Sequence, residues 1–593
     1  MTMHAALLLA LTLAAEPDDA KRYFTIAIVD EQTGRGVPLV ELRTVNNLRF
    51  VTDSNGIVAF REPGLMDREV FFHVRSHGYE FPKDGFGITG KMLHTTPGLS
   101  AKLTIRRINI AERLYRVTGA GIYADSDLVG IKMPLDEPLL NAQVVGSDSV
   151  VTAIYGGKLR WFWGDTNRPS YPLGNYQVPG ATSLLPKDGG LDPERGVNLT
   201  YFVDKKGFAK QTMAMPGKGP TWMTTLIPLK DREGEGKERL YASFIKIEGS
   251  LTIYARGLAA WNDAKEQFDK LTDVDMKAPI FPQGHAFVHE GHVYLAHPYP
   301  LTRVRATAEA FANVEQYESF TCLKEGSRLD DPQIDRDAIG KIQYAWKKNT
   351  PSAGPAEQAK LIRSGKLKAD EALLQLRDRD TGKPVTAHAG SVYWNDYRKR
   401  WVLIATEHFG TSLLGEVRYA EAETPTGPWN WTVKVVTHDK YSFYNPKQHP
   451  YFDKEGGKTI FFEGTYTHTF SGNPDQTPRY DYNQIMYKLD LSDPRLSLPS
   501  PIRNGDNAKG FAALDRPGLG SVTVVLEKDR LRVGKADEKG IVFHALPDGK
   551  NPPAATVPLY EFSDGKVYRY SINPRAKFEG MTRRDEPVCR VWP

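Results

Sequence analysis

Cysteine is almost absent, with Cys322 and Cys589 the only two in 593 residues. That excludes a disulfide framework and a thiolate metal site, and one bridge is the most the chain can form. Long apolar runs are missing as well: beyond the N-terminus nothing approaches the roughly 20 residues of a membrane-spanning helix. Charge of one sign never accumulates either. The 77 basic and 72 acidic residues are interspersed and leave a net +5, which argues against a nucleic-acid surface and fits a soluble exterior. No membrane or nucleic-acid partner is expected.

The one apolar run, Ala5–Ala15 in MTMHAALLLALTLAA, is too short for a bilayer but long enough for a secretory signal over residues 1–15, although only His4 stands where a basic flank belongs. A secreted or periplasmic protein is therefore expected. Its length implies two or more domains. Aromatic content of 11%, with 52 Gly and 40 Pro, suits β-structure with many turns.

The clearest pattern lies between His388 and Val436. Ser391–Trp394 and Trp401–Ala405 flank a polar turn, Glu416–Ala422 follows, and after the breaker Thr424–Pro428 comes Trp431–Val436. Four antiparallel strands in about fifty residues make one propeller blade, which needs neighbours to bury its faces. The same pattern recurs. Val150–Tyr155, Leu159–Trp163, Ala181–Leu185 and Leu199–Val203 give a first blade, and Thr221–Leu229, Leu240–Ile247 and Leu251–Gly257 a second. Ala286–Val288 with Val293–Ala296 open a third. A fifth pairs His449–Phe452 with Thr459–Glu463 before Gln484–Leu489.

The expected fold is all-β: a five-bladed propeller over 141–500, preceded by a small β-sandwich over 16–115. Residues 325–380 break the period with Leu and Ala at helical spacing, so they read as a helical insertion that either overhangs the channel as a lid or projects into solvent. The tail 501–593 is β-like again and either closes the ring or packs outside it. In the sandwich, Asp30–Val40 followed by Thr52–Gly56 resembles transthyretin-like or carboxypeptidase-regulatory-like domains, and the resemblance implies an accessory module.

In a blade, the start of the innermost strand and the end of the second strand share one face of the disc, so residues there converge on one channel mouth. These are Asp165 in the first blade, His285 and His297 in the third, and His388, Glu407 and His408 in the fourth. The fifth supplies Asn445, beside Tyr444, and Glu463. The aromatic Trp163 directly precedes Gly164-Asp165 and is the tryptophan assigned to the site.

This arrangement is similar to the five-bladed propeller glycoside hydrolases, the group of arabinanases, β-xylosidases and invertases. The likeness runs from about Asn141 to Pro499 and rests on Trp161–Thr166 (WFWGDT) and Gly415–Trp429 (GEVRYAEAETPTGPW). The pattern departs from those families in lacking Asp-Pro at the start of the first and third blades, where uncharged residues and His285 stand. The resemblance implies a hydrolase with carboxylates from different blades at one mouth.

Such hydrolysis needs two carboxyl groups about 5 to 10 Å apart. Asp165, Glu407 and Glu463 are the catalytic candidates, each with a structural alternative: a turn cap for Asp165, a pair with Arg418 for Glu407, a loop anchor for Glu463. An apolar flank raises the pKa of Glu463 and makes it the candidate acid. Trp163, Arg168, His285, His388, His408, Tyr444 and Asn445 are the candidate substrate-binding residues. No cofactor is expected; the channel leaves room for a structural cation, and His285, His289, His292 and His297 show no third ligand at fixed spacing. The expected partner is a plant or algal poly- or oligosaccharide. Two other functions fit the sequence: a polysaccharide lyase using His388 with Tyr393 or Tyr444 and a uronate-binding Arg168, and a non-catalytic sugar-binding propeller.

Overall fold

The computed structural model describes residues 20–232, 235–249, 251–502 and 510–593. The apolar run read as a signal lies outside them. Two compact units emerge: 1–108 with 121–139, and 109–120 with 140–593.

In the first unit, Phe24–Asp30 alternates buried and half-buried residues, as a strand with one face on a core must. It pairs antiparallel with Ile57–Phe60 and parallel with Ser100–Arg107. A second sheet is ordered Arg49–Val51, Glu41–Thr44, Glu69–Arg75 and Gly90–His94. The two sheets share one core around Ile26, Leu42, Phe60, Phe72 and Ile105. The Thr52–Gly56 phrase forms the turn before Ile57: Asp53 accepts hydrogen bonds from the Asn55 and Ile57 amides, and Gly56 takes a φ of +76°.

The second unit is a five-bladed ring followed by a β module. Blade 1 is ordered Val151–Tyr155, Lys158–Phe162, Gly180–Ser183 and Thr200–Tyr201, and blade 2 runs through four successive strands from Thr221 to Asp273. Blade 3 spans His285–Lys348 in five strands. Blade 4 is built on Thr386–Asn395, Arg400–His408, Glu416–Ala422 and Trp431–Thr437. Blade 5 has Ser442–Gln448 innermost, then Thr459–Thr467 and Asn483–Asp490. The sequence places its inner strand at His449–Phe452, but Pro450 starts a 3-10 turn there. The true inner strand is the less apolar SFYNPKQ.

Ring closure comes from an unexpected place. The outer strand of blade 5 is Glu112–Arg116, antiparallel to Asn483–Asp490 with Ile485 opposite Arg116 and Lys488 opposite Glu112. Residues 112–115, assigned from sequence to the sandwich, thus belong to the propeller. All five residues of the strand are buried, and the Lys488 ammonium stands 3.0 Å from the Glu112 carboxylate. The tail does not close the ring. It forms a separate module whose core includes Phe511, Val524, Phe543, Leu559, Tyr570 and Cys589, anchored where the Trp592 indole donates to the Arg379 carbonyl at 2.8 Å.

The 325–380 segment is neither lid nor free excursion. It does contain a helix, Pro355–Arg363, but Ala345–Lys348 pairs with the outer strand of blade 3 and Arg377–Asp378 lies parallel to Trp431–Thr437 of blade 4. Between them Cys322, Leu361, Leu367 and Ala372 form a small core. Both cysteines are free and buried. Among the described residues no helix is long and apolar enough to cross a membrane.

Leu114 is fully buried in the core between blades 5 and 1. Leu114→Ala is expected to cost about 2 to 5 kcal/mol, read as a lower midpoint in chemical denaturation.

Candidate active site

Asp148 and Asp165 face each other at the entrance to blade 1. Ser147 is paired with Thr166 and Val151 with Phe162, and between these pairs the Asp148 amide donates to the Asp165 carbonyl at 3.2 Å while the Gly164 amide donates to the Asp148 carbonyl at 2.9 Å. The hairpin Thr166–Arg168/Tyr171–Asn175, paired with Gly146–Ser147, continues the ladder past both residues. Like charges directly opposite in an antiparallel pair are destabilising. Gly164 is required, because a Cβ there would lie 2.2 Å from Asp148 Oδ1.

The two carboxylates have different hydrogen-bond partners. Tyr444 of blade 5 donates its hydroxyl to Asp148 Oδ2 at 2.8 Å, and the Tyr482 hydroxyl also bonds this carboxylate. On the other side the Trp222 indole, at the entrance to blade 2, donates to Asp165 Oδ1 at 3.3 Å. Burial, and then the charge of Asp165, raises Asp148 to about 7; burial raises Asp165 to about 6. Both values belong to the pair, which therefore sheds its protons in two steps close to neutrality.

Blade 5 is shaped to clamp this pair. Its ladder slips between Tyr444 and Lys447, a bulge of the kind that re-aims side chains, and Asn445 adopts a φ of +49° there. Its side-chain amide donates to Ser149 Oγ at 2.7 Å. The inner strands of blades 2 and 4 also slip near the mouth, between Met223 and Thr225 and between Ala387 and Gly390.

Opposite the carboxylates stands an arc of histidines from blades 3 and 4. His297 and His388 are open to solvent and influence each other electrostatically, and the His388 and His408 rings lie 5.4 Å apart. Desolvation, then His388, lowers His297 to about 4. His388 is lowered by desolvation and then His408. His297 and His388 are therefore held towards the neutral form at pH 7. Phe409 stacks on His408 and Phe470 stands edge-on to Tyr444, both exposed at strand ends beside the mouth.

Glu463 does not reach the mouth. Its residue is 0% exposed, two positions further along the strand than Thr465, the partner of Tyr444. Its Oε1 lies 3.1 Å from His449 Nε2. Burial raises its pKa to about 8, against the lowering effect of Lys447. Lys447, also buried, donates to the Tyr393 hydroxyl at 2.9 Å, and burial pushes its ammonium down to about 7. His285 and His449 join this cluster, each lowered first by desolvation and then by Lys447.

Glu407 takes its structural alternative: Arg418 Nε donates to it at 2.6 Å while Arg418 Nη1 bonds Asp378 at 2.6 Å. Trp163 is 1% exposed, stacked on Trp161 and packed against Tyr201 in the core between blades 1 and 5. The tryptophan that bonds Asp165 is Trp222, not Trp163. Arg168 lies over the Phe208 ring at 5.2 Å. Of the sequence-assigned residues, Asp165, Tyr444 and Asn445 meet around the carboxylate pair, and His388 and His408 form part of the histidine arc. The uncharged start assigned to blade 1 is corrected by Asp148, which the strand-start rule applied to GSDSVVTAIY would have found. Among the described residues, no group of three or more His, Cys, Asp and Glu side chains could hold a metal ion.

No protein-family model matches the chain, and no curated protein does. Solved structures give remote likenesses. A thermostable family-43 glycoside hydrolase aligns at 12% identity and a TM-score of 0.28, over 63% of this chain and 94% of its own. An exo-1,5-α-L-arabinanase from a bovine ruminal metagenomic library aligns at 11% and 0.30, over 64% and 99%. An α-L-arabinofuranosidase from Fusarium graminearum aligns at 12% and 0.32, over 64% and 98%. Scores this low carry no argument about activity. The class of fold, a five-bladed β-propeller, follows from the sheet order above.

Two outcomes check this geometry. Gly164→Ala should displace the Asp148 carboxylate and move the pair's titration, read by carboxyl-carbon NMR, with little change in secondary structure. Glu463→Gln should raise the melting temperature most at high pH. A folded-state carboxyl pKa raised to about 8 makes the native state hold a proton that the unfolded chain releases near pH 4, so wild-type stability falls as pH rises from 4 through 8. The variant escapes that loss, and the gap between the two melting curves should widen over this window.

Proposed function

We propose that the chain is a glycoside hydrolase acting on a poly- or oligosaccharide, with Asp148 and Asp165 as its catalytic carboxyl groups. The observation that carries this reading is the pair itself. Two aspartates held face to face at a channel mouth, each raised towards neutrality, cost stability and suit acid–base chemistry at neutral pH.

Tyr444 of blade 5 holds Asp148 and Trp222 of blade 2 holds Asp165, so each carboxyl group has its own partner and the two can take different roles towards a sugar seated over the entrance to blade 1. With one proton on the pair, the protonated member delivers it to the leaving glycosidic oxygen as the bond to the anomeric carbon breaks. The ionised member takes the proton of the incoming water or attacks that carbon directly. Exposed Phe409 and Phe470 offer rings on which sugar faces stack. His297 and His388, both held towards the neutral form, offer hydrogen bonds to hydroxyls without a charge that would demand an anionic substrate.

The lyase reading has less support. Tyr444 is engaged with Asp148 and Tyr393 with Lys447, so neither tyrosine that it needs has a free hydroxyl. A module that only binds sugar has no use for opposed like charges. Export rests on the N-terminal apolar run alone and is tested by N-terminal sequencing of the protein made in its own cells.

Assay of a panel of plant and algal polysaccharides should release reducing ends without ultraviolet absorbance from an unsaturated uronate. Asp165→Asn and Asp148→Asn should each lower kcat by about 10² to 10⁴ while the protein stays folded. Near-normal turnover in both variants would falsify the assignment. Because only the singly protonated pair is competent, kcat/KM should peak between about pH 6 and 7, and fall on either side.

A further inference from the structure

At the opposite end of the disc from the carboxylates lies a second concavity, between blades 3 and 4, of about 780 Å³. It is built from the turn-proximal halves of the inner hairpins, and its walls include Phe287, Tyr294, Trp346, Trp394 and Trp401. The rings form one continuous chain of contacts. Phe287 and Tyr294 lie nearly parallel with centroids 5.4 Å apart, Trp401 leans on Phe287 at 5.0 Å, and Trp394 meets Trp401 edge-on at 5.7 Å. Trp346 closes the far side against Tyr294.

Nothing in the proposed chemistry uses this place. The mouth lies at His297 in blade 3 and at His388 and His408 in blade 4, whereas the concavity adjoins the turn beyond His289 and the turn beyond Trp394. Its floor includes Tyr393, whose hydroxyl is bonded to buried Lys447, so the cluster at mid-channel separates the two ends.

We propose that this concavity binds a short neutral oligosaccharide segment. Trp394 is 42% exposed although its neighbours Tyr393 and Trp401 are buried. Its indole N–H donates to Asp396 at 3.1 Å. An exposed ring beside a polar rim matches a pyranose, which offers C–H faces and hydroxyl edges together. The rim supplies His289, Glu290, Glu423 and the Thr424 and Thr426 hydroxyls. Arg400 stands 4.0 Å from Glu423, and among the described residues no lysine or arginine lines the concavity. A cationic trap for an acid is therefore not what is built. The volume accommodates a few sugar rings. The proposal shares with the assigned activity only the class of ligand, and it stands or falls separately.

The test uses the full chain carrying Asp165→Asn, so that no sugar is consumed, titrated calorimetrically with cellohexaose, xylohexaose and α-1,5-arabinohexaose. At least one should bind, and adding Trp394→Ala should remove one binding equivalent or weaken it at least tenfold. Val288→Arg, an exposed change on the concavity wall, should do the same by filling the space, which covers the case in which the tryptophan variant does not fold. In the otherwise wild-type chain, Trp394→Ala should leave hydrolysis of short substrates within twofold. Identical isotherms in all three proteins, or no binding of any hexasaccharide, overturn the proposal. So does light scattering that shows the surface covered by a second copy, dissociated by Val288→Arg. Loss of hydrolysis in every assay with Trp394-dependent binding retained would sink the catalytic reading and leave this one standing.

Discussion

Everything at the mouth depends on a strand that arrives early in the chain and is used last. Glu112–Arg116 precedes every blade in the sequence, yet it completes blade 5. Without it blade 5 would lack its outer edge and part of its core against blade 1. Blade 5 then delivers Tyr444 to Asp148 and Asn445 to Ser149. The cost of an exposed sheet edge and the cost of opposed carboxylates are thus both offset by one closure. A propeller without it would have neither its core between blades 5 and 1 nor its carboxylate geometry.

The fold was largely legible because blades repeat, and a repeat is visible as recurring hairpins with turn residues between them. What failed was local. The inner strand of blade 5 reads SFYNPKQ, with a proline and four polar residues, and a strand that faces a polar channel has little apolar signal to offer. Glu112–Arg116 escaped notice for a different reason: its partner lies more than 360 residues away, and no local pattern announces a pairing of that range.

The site was legible in part, and period-two alternation explains the division. Trp163 shares a strand face with Trp161 and follows it into the core, so the residue beside Asp165 was a poor choice for a sugar platform. Phe461, Glu463 and Thr465 likewise share a face, and only the last of the three is near the mouth. The bulges are the part that sequence could not supply. Slips between Met223 and Thr225, Ala387 and Gly390, and Tyr444 and Lys447 break the alternation where the functional side chains are aimed. Asp148, by contrast, needed no bulge: it stands one ladder step from Asp165 across the hairpin entrance.

The buried cluster at mid-channel has a bearing on traffic. Lys447, His449 and Glu463 come from blade 5, Tyr393 from blade 4 and His285 from blade 3, and together they tie the inner edges of three blades to one another. Under the proposed hydrolysis, a sugar that enters at the mouth meets this cluster before it can pass deeper, so a fragment held against it would leave by the way it entered.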